Sequence, residues 1–246
     1  MEQVPRRTSL SGPTLVRLLG RLTDIEVSEP RQSLADRLSL WLGWTDAIAL
    51  SAVLNSNPPA AAAGAATETD EARECDRVRA TLAKAIAEKN RASAPGAGQG
   101  WARPGGPAPA KAPVDYVIYR QRYLSLQQTM ETAIGNLRAR LRGLMAGRTP
   151  AMTQLAAVDA IMEKALGARE HNTLAAVPGL LETHFHRLRR AEAAALAEAE
   201  NGTAASAVKP GAWLDAFRQD MRAMLLAELD IRFQPVEGLL AALRAR

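Results

Sequence analysis

Aromatic side chains are scarce in this sequence, at 4% of 246 residues, and cysteine is reduced to Cys75. A lone cysteine excludes an intramolecular disulfide and any zinc site built from a cysteine cluster. Cys75 itself reads as a half-exposed thiol on a helix. No window of 18 or more apolar residues exists, and the opening MEQVPRRTSLSGP lacks the apolar core of a signal peptide. The expectation is a soluble, cytoplasmic protein. No stretch holds the period of two that marks a strand, so an all-α protein is expected. The glycines of PGAGQGWARPGGP lie in a proline-rich tract with no strand before them, which removes the context of a phosphate-cradling loop. A nucleophile elbow is missing, as is a base partner for Cys75. No catalytic, cofactor-binding or metal-binding residue is therefore assigned, and the chain is expected not to be an enzyme.

What is present is alanine, leucine and charge. The hydrophobic fraction is 47% and the formal net charge is +5. Amphipathic spacing at Leu15, Leu18, Leu19 and Leu22 predicts a first helix from a Ser11/Pro13 start to Thr23. Ser33, with Asp36 three residues on, predicts a second helix running to Leu54. A charged helix is expected from about Thr69 to Ala92. The Gly/Pro-rich stretch 93–113 divides an N-terminal helical region, 1–92, from a C-terminal helical bundle, 114–246, that packs with the N-terminal helices. Trp101 in that linker reads equally well as a docking anchor or as an exposed aromatic.

The longest pattern is DYVIYRQRYLSLQQTMETAIGNLRARLRGLM. Tyr116, Tyr119, Tyr123, Leu126, Met130, Ala133 and Leu137 step by three and four, a heptad seam of coiled-coil type. The three tyrosines suit a cage for a cationic ligand or, more simply, seam packing with hydroxyls at the rim. Arg138, Arg140 and Arg142 form the basic end of this helix and are the candidates for nucleic-acid binding. A Thr149/Pro150 start predicts a helix to Leu166, ended by Gly167. A further helix spans roughly 174 to 200, and a last one runs from Pro210 to Ile231 with a short tail after Pro235. Its face carries Trp213, Phe217, Met221, Met224, Leu225 and Glu228. In HFH, His184 and His186 diverge by about 200° on a helix; Glu182 and His186 do have the spacing of a helical metal pair, but no second His or Glu pair marks a carboxylate-bridged bundle site.

In RQSLADRLSLWLGWTDAIALSAVL, Trp41 and Trp44 flank Gly43, with Asp46 close behind. The wide apolar arc predicts a helix buried on most of its surface, whose rings brace two neighbours, one of them on a partner. A ligand pocket between the rings remains open. A membrane anchor does not fit, because cations do not line the opposite face. Gly43 costs roughly 1 kcal/mol in a helix relative to Ala, and implies a close backbone approach or a kink.

These stretches, together with RTSLSGPTLVRLLGRLTD and WLDAFRQDMRAMLLAELDIRFQPVEGLLAALR, resemble an uncharacterised, all-helical proteobacterial family, a domain of unknown function of about this length. The resemblance implies genes that neighbour MotA-, TolQ- and ExbB-type inner-membrane proton-channel proteins and OmpA-like proteins. It transfers no catalytic residue. The function expected is that of a non-enzymatic helical interaction or scaffold protein, pairing with a protein partner or with itself through amphipathic helices; the alternatives are a basic nucleic-acid-binding protein and, behind it, a metal enzyme using Glu182 and His186. Candidate partner-binding residues are Trp41, Trp44, Asp46, Tyr116, Tyr119 and Tyr123. Trp44→Ala separates two roles: a thermal melt shows unfolding if the ring is core, whereas a folded variant that has lost binding marks a docking residue.

Overall fold

Side-chain oxygens start several of the helices. Ser33 accepts from the Asp36 N–H at 3.1 Å, Asp115 from that of Val117 at 3.1 Å, and Thr149 from that of Met152 at 3.2 Å with Pro150 in the first turn. The computed structural model describes residues 14–23, 32–58, 68–92, 114–200 and 209–245. Among them lie eight helices and no strand: α1 (Thr14–Thr23), α2 (Leu34–Trp41), α3 (Trp44–Leu54), α4 (Glu68–Ala92), α5 (Tyr116–Ala146), α6 (Pro150–Leu174), α7 (Val177–Glu200) and α8 (Ala212–Arg244). The all-α helical bundle expected from the sequence is the fold found. The Ser11/Pro13 start, the linker stretch 93–113 and Trp101 fall outside the described residues.

Two long helices organise the rest. The buried stripe of α5 is Tyr116, Tyr119, Tyr123, Leu126, Met130, Ile134, Leu137, Leu141 and Met145. Its first steps are the anticipated three and four, but Ile134 takes the place of Ala133. The stripe then follows the 3.6-residue period of an unsupercoiled helix. α8 packs against α1, α4, α5, α6 and α7, while α5 also touches α4, α6 and α7. Between them Tyr116, Tyr119, Phe185, Trp213 and Phe217 form an aromatic cluster, with Phe185 and Phe217 centroids 5.0 Å apart at 86°. Edge-to-face pairs of this kind add to the burial of the rings themselves. The scarcity of aromatics is offset by concentrating them at one place.

Several boundaries differ from those expected. α8 passes through Pro235 without ending. Val236, Leu239, Leu240 and Leu243 continue its buried stripe, and their burial outweighs the backbone hydrogen bond that proline removes. α6 runs through Gly167 to Leu174 for a similar reason, since Gly167 meets an open surface and only its propensity is lost. Gly211 adopts φ 90°, a conformation L side chains rarely take, and its N–H and that of Trp213 donate to the Glu192 carboxylate of α7 at 3.1 and 3.2 Å. One carboxylate thereby caps the start of α8 and joins it to α7.

Cys75 is buried, not half-exposed as its sequence context implied. It lies on the inner face of α4 with Leu82 and Ile86. Burial first, and then the nearby Glu71 carboxylate, push its thiol above the usual range. Thiol-reagent labelling of Cys75 is therefore expected to follow opening of the fold: slow in native buffer and at least about a hundredfold faster in denaturant. In the core, Phe217→Ala should cost about 3–5 kcal/mol, read as a lower urea midpoint.

Candidate interaction surface

The Trp41/Trp44 stretch is not one helix. The Leu42 N–H closes α2 on the Leu38 carbonyl at 2.8 Å, and Leu42 and Gly43 then turn to extended backbone. Gly43 caps α3, accepting from the Ala47 N–H at 2.9 Å. The kink is real, and it lies between the two rings. The expected burial is not found: no residue from 32 to 58 is buried. The single apolar arc expected along one helix is broken at Leu42 and Gly43, and among the described helices α6 is the main neighbour of α3.

α3 consequently carries two apolar faces. At 100° per residue, Ala49, Leu50 and Val53 share one side with Asp46, all partly buried, and this side meets α6. Trp44, Ala47, Ile48 and Leu54 share the opposite side, and all are exposed, Trp44 at 81%. On α2, Leu34 and Leu40 are exposed as well, Leu40 at 72%. Polar contacts add to this attachment to α6. The Gln154 amide donates to the carbonyls of Val53 and Leu54 at 3.0 and 2.9 Å. Further along α6, the Arg169 guanidinium lies 4.6 Å from the Trp41 ring centroid, with Arg37 at 4.9 Å. Trp41 is thus held by two cation–π contacts, Asp46 sits in the first turn of α3, where a negative charge is favourable, and Trp44 faces outward.

The other candidate residues turn inward or are paired. Tyr116, Tyr119 and Tyr123 are core, so they form no open cage. Their hydroxyls do not reach the rim: that of Tyr116 donates to the Pro178 carbonyl, and that of Tyr123 to Glu228 at 2.9 Å. Burial, and for Tyr123 also the Glu228 charge, raise both phenols above their usual range and keep them protonated donors. Arg138 and Arg142 of α5 form a square of ion pairs with Asp159 and Glu163 of α6, with contacts of 2.6, 3.3, 2.8 and 2.6 Å. Arg140 points elsewhere, to Glu71 of α4 at 2.8 Å. The three arginines do not share one face.

A cleft of about 310 Å³ opens between α5, α6 and α8, lined among others by Arg138, Asp159, Glu163, Glu170, His171 and Arg232. Its polar groups meet across it: Arg232 pairs with Glu170 at 3.2 Å, and His171 Nδ1 lies 3.5 Å from the Glu131 carboxylate. No serine, threonine, cysteine or lysine lines it. Among the described residues no three His, Cys, Asp or Glu side chains are placed to hold a metal ion, and Glu182 and His186 are both exposed. His184 faces inward. Its Nδ1 lies 3.1 Å from the Arg187 guanidinium and its Nε2 lies 2.8 Å from Asp220 of α8. Since a guanidinium only donates, Nδ1 accepts and the Nε2–H donates to Asp220.

One family model, described as "Protein of unknown function (DUF3348)", matches residues 1–245. The chain belongs to this family. The match takes in every helix from α1 to α8, the α2–α3 pair included. No curated protein and no solved structure matches the chain.

The sequence reading passed over one group of residues. Glu228, fully buried in α8, receives the Tyr123 hydroxyl, the Gln127 amide at 3.0 Å and the Arg232 Nε–H at 3.0 Å. Gln127 also reaches the Leu174 carbonyl at the end of α6, at 3.1 Å. The signal was available, since Glu228 falls on the same helical face as Phe217, Met221, Met224 and Leu225, where a carboxylate requires donors. Glu228→Ala leaves Arg232 short of its buried partner and should cost about 3–5 kcal/mol in urea unfolding. For the square, reversing Arg138 and Arg142 to Glu should destabilise the fold. Adding Asp159→Arg and Glu163→Arg should recover part of that loss, giving a coupling of about 0.5–3 kcal/mol in the cycle.

Proposed function

We propose that this chain is a non-enzymatic helical interaction or scaffold protein whose binding element is the α2–α3 pair. The observation that carries this reading is the outer face of α3, where Trp44, Ile48 and Leu54 stand exposed on a helix already packed through its other side. Exposed apolar groups grouped in this way mark interaction sites, and a helix face of this spacing suits a partner helix. The reading extends to a cytoplasmic setting, since no described helix is long and apolar enough to cross a membrane. The resemblance to a proteobacterial family found beside MotA-, TolQ- and ExbB-type proteins makes an ion-driven envelope complex, with OmpA-like components, the partner to test first.

The nucleic-acid alternative draws on the net charge of +5. Its three leading residues, Arg138, Arg140 and Arg142, each hold a carboxylate of this chain, which leaves less of their charge for phosphate. Substituting them is expected to lower stability before it changes any salt-dependent binding.

The test of the leading reading is Trp44→Ala. Melting should move by no more than about 0.5 kcal/mol in stability, as for a surface site. Retention of the co-expressed MotA/TolQ-type neighbour should fall about thirtyfold or more, as for a central aromatic contact. Unfolding of the variant, or undiminished retention, would remove the α2–α3 pair as the binding element.

A further inference from the structure

We propose that the cleft between α5, α6 and α8 is a binding site for a small aliphatic amine, taken up as its ammonium ion. The proposal is independent of the reading of α2–α3. A volume of about 310 Å³ is of the size that holds a small organic molecule.

The room comes from two glycines. α5 and α6 pack along each other, tied by the Arg138 contact to Glu163 and, further along, by His171 Nδ1 at 3.5 Å from Glu131. Gly135 lies between Glu131 and Arg138 on α5, and Gly167 lies between Glu163 and His171 on α6. The two therefore stand opposite each other between these contacts, and both line the cleft. A Cβ at either would meet no atom within 4 Å, so packing inside the chain does not require glycine there. Alanine would serve each helix better. What the glycines supply is space between two helices.

The lining selects what enters. Ile134, Met162 and Leu166 give the cleft apolar walls, and Ile231, Arg232 and Pro235 line it from α8. Proline has no N–H, so Pro235 deprives the Ile231 carbonyl of its helical donor. An acceptor is thus left on the α8 side, where an uninterrupted helix presents none. Glu170 is held beside it by the 3.2 Å bond from Arg232, and Glu131 stands next to His171 at the same end.

Charge gives the sign of the ligand. Glu131, Asp159, Glu163 and Glu170 line the cleft against the guanidiniums of Arg138 and Arg232. Arg142 joins Arg138 in holding Asp159 and Glu163, whereas Arg232, its side chain 7% exposed, is shared between Glu170 and Glu228. The unbalanced acceptors therefore collect at the Glu131 and Glu170 end. An ammonium group carries three N–H donors and no acceptor, which complements two carboxylates and a carbonyl. Its alkyl chain then lies along Ile134, Met162 and Leu166, and an anionic ligand would be repelled.

The experiment titrates the full chain with hexylamine, hexanoate and hexanol, following calorimetric heat and melting temperature. Hexylamine should bind saturably and raise the melting temperature; the other two should do neither at the same concentrations. Gly135→Leu and Gly167→Leu should each abolish binding with helicity unchanged by circular dichroism. Glu131→Gln and Glu170→Gln should each weaken it about tenfold, and Trp44→Ala should leave it unchanged. Equal binding of hexanol would make the site a plain apolar slot, and binding of hexanoate would reverse its polarity; either overturns the proposal. So does hexylamine that fails to bind, or that binds undiminished to both glycine variants or to both carboxylate variants.

Discussion

A carboxylate with no access to solvent is the constraint around which this bundle is arranged. Burying Glu228 requires that donors converge on it, and these come from two helices: Tyr123 and Gln127 of α5, and Arg232 one turn along α8. Satisfying it fixes the rotation and register of α5 against α8 within a side chain's length. Apolar stripes alone leave such registers loosely specified, because one leucine replaces another at small cost. The buried polar group makes wrong registers expensive. Gln127 and Arg232 then extend the same network to α6, through the Leu174 carbonyl and Glu170.

α6 is held differently from the rest. It buries little, Ala156 and Leu174 being its buried residues, and its grip on α5 is the square of Arg138, Arg142, Asp159 and Glu163. Partly buried ion pairs between two cations one turn apart on α5 and two carboxylates one turn apart on α6 also set a register. α6 is thereby fastened to the core by charge on one side and carries α2–α3 on another. The bundle of α1, α4, α5, α7 and α8 keeps its own aromatic and aliphatic core, which does not include α2 or α3.

Much of this was legible in the sequence where local chemistry decides. The α5 stripe, the Ser33 start and the Thr149/Pro150 start all follow from spacing or capping within a few residues. What failed to be legible depended on neighbours. Pro235 and Gly167 are strong local stop signals, overridden in the one case by the buried leucines beyond the proline and in the other by an open surface that asks little of the glycine. The burial of Cys75 depends on which face α4 turns inward. The exposure of Trp44 was hidden for a related reason: an apolar residue in the sequence announces that it should be covered, without saying whether the cover belongs to the same chain. Glu228 was visible as a polar residue on an apolar face, and its role emerges only when Tyr123 and Gln127 are brought opposite.

The separation of α2–α3 from the core has a consequence for mutational tolerance. Since no residue from 32 to 58 is buried, the outer side chains of this pair contribute little to the stability of the bundle. The Gln154 cap is taken from backbone carbonyls, which exist whatever the side chains are. Substitutions at Trp44 and Ile48 are therefore expected to need no compensating changes in the bundle.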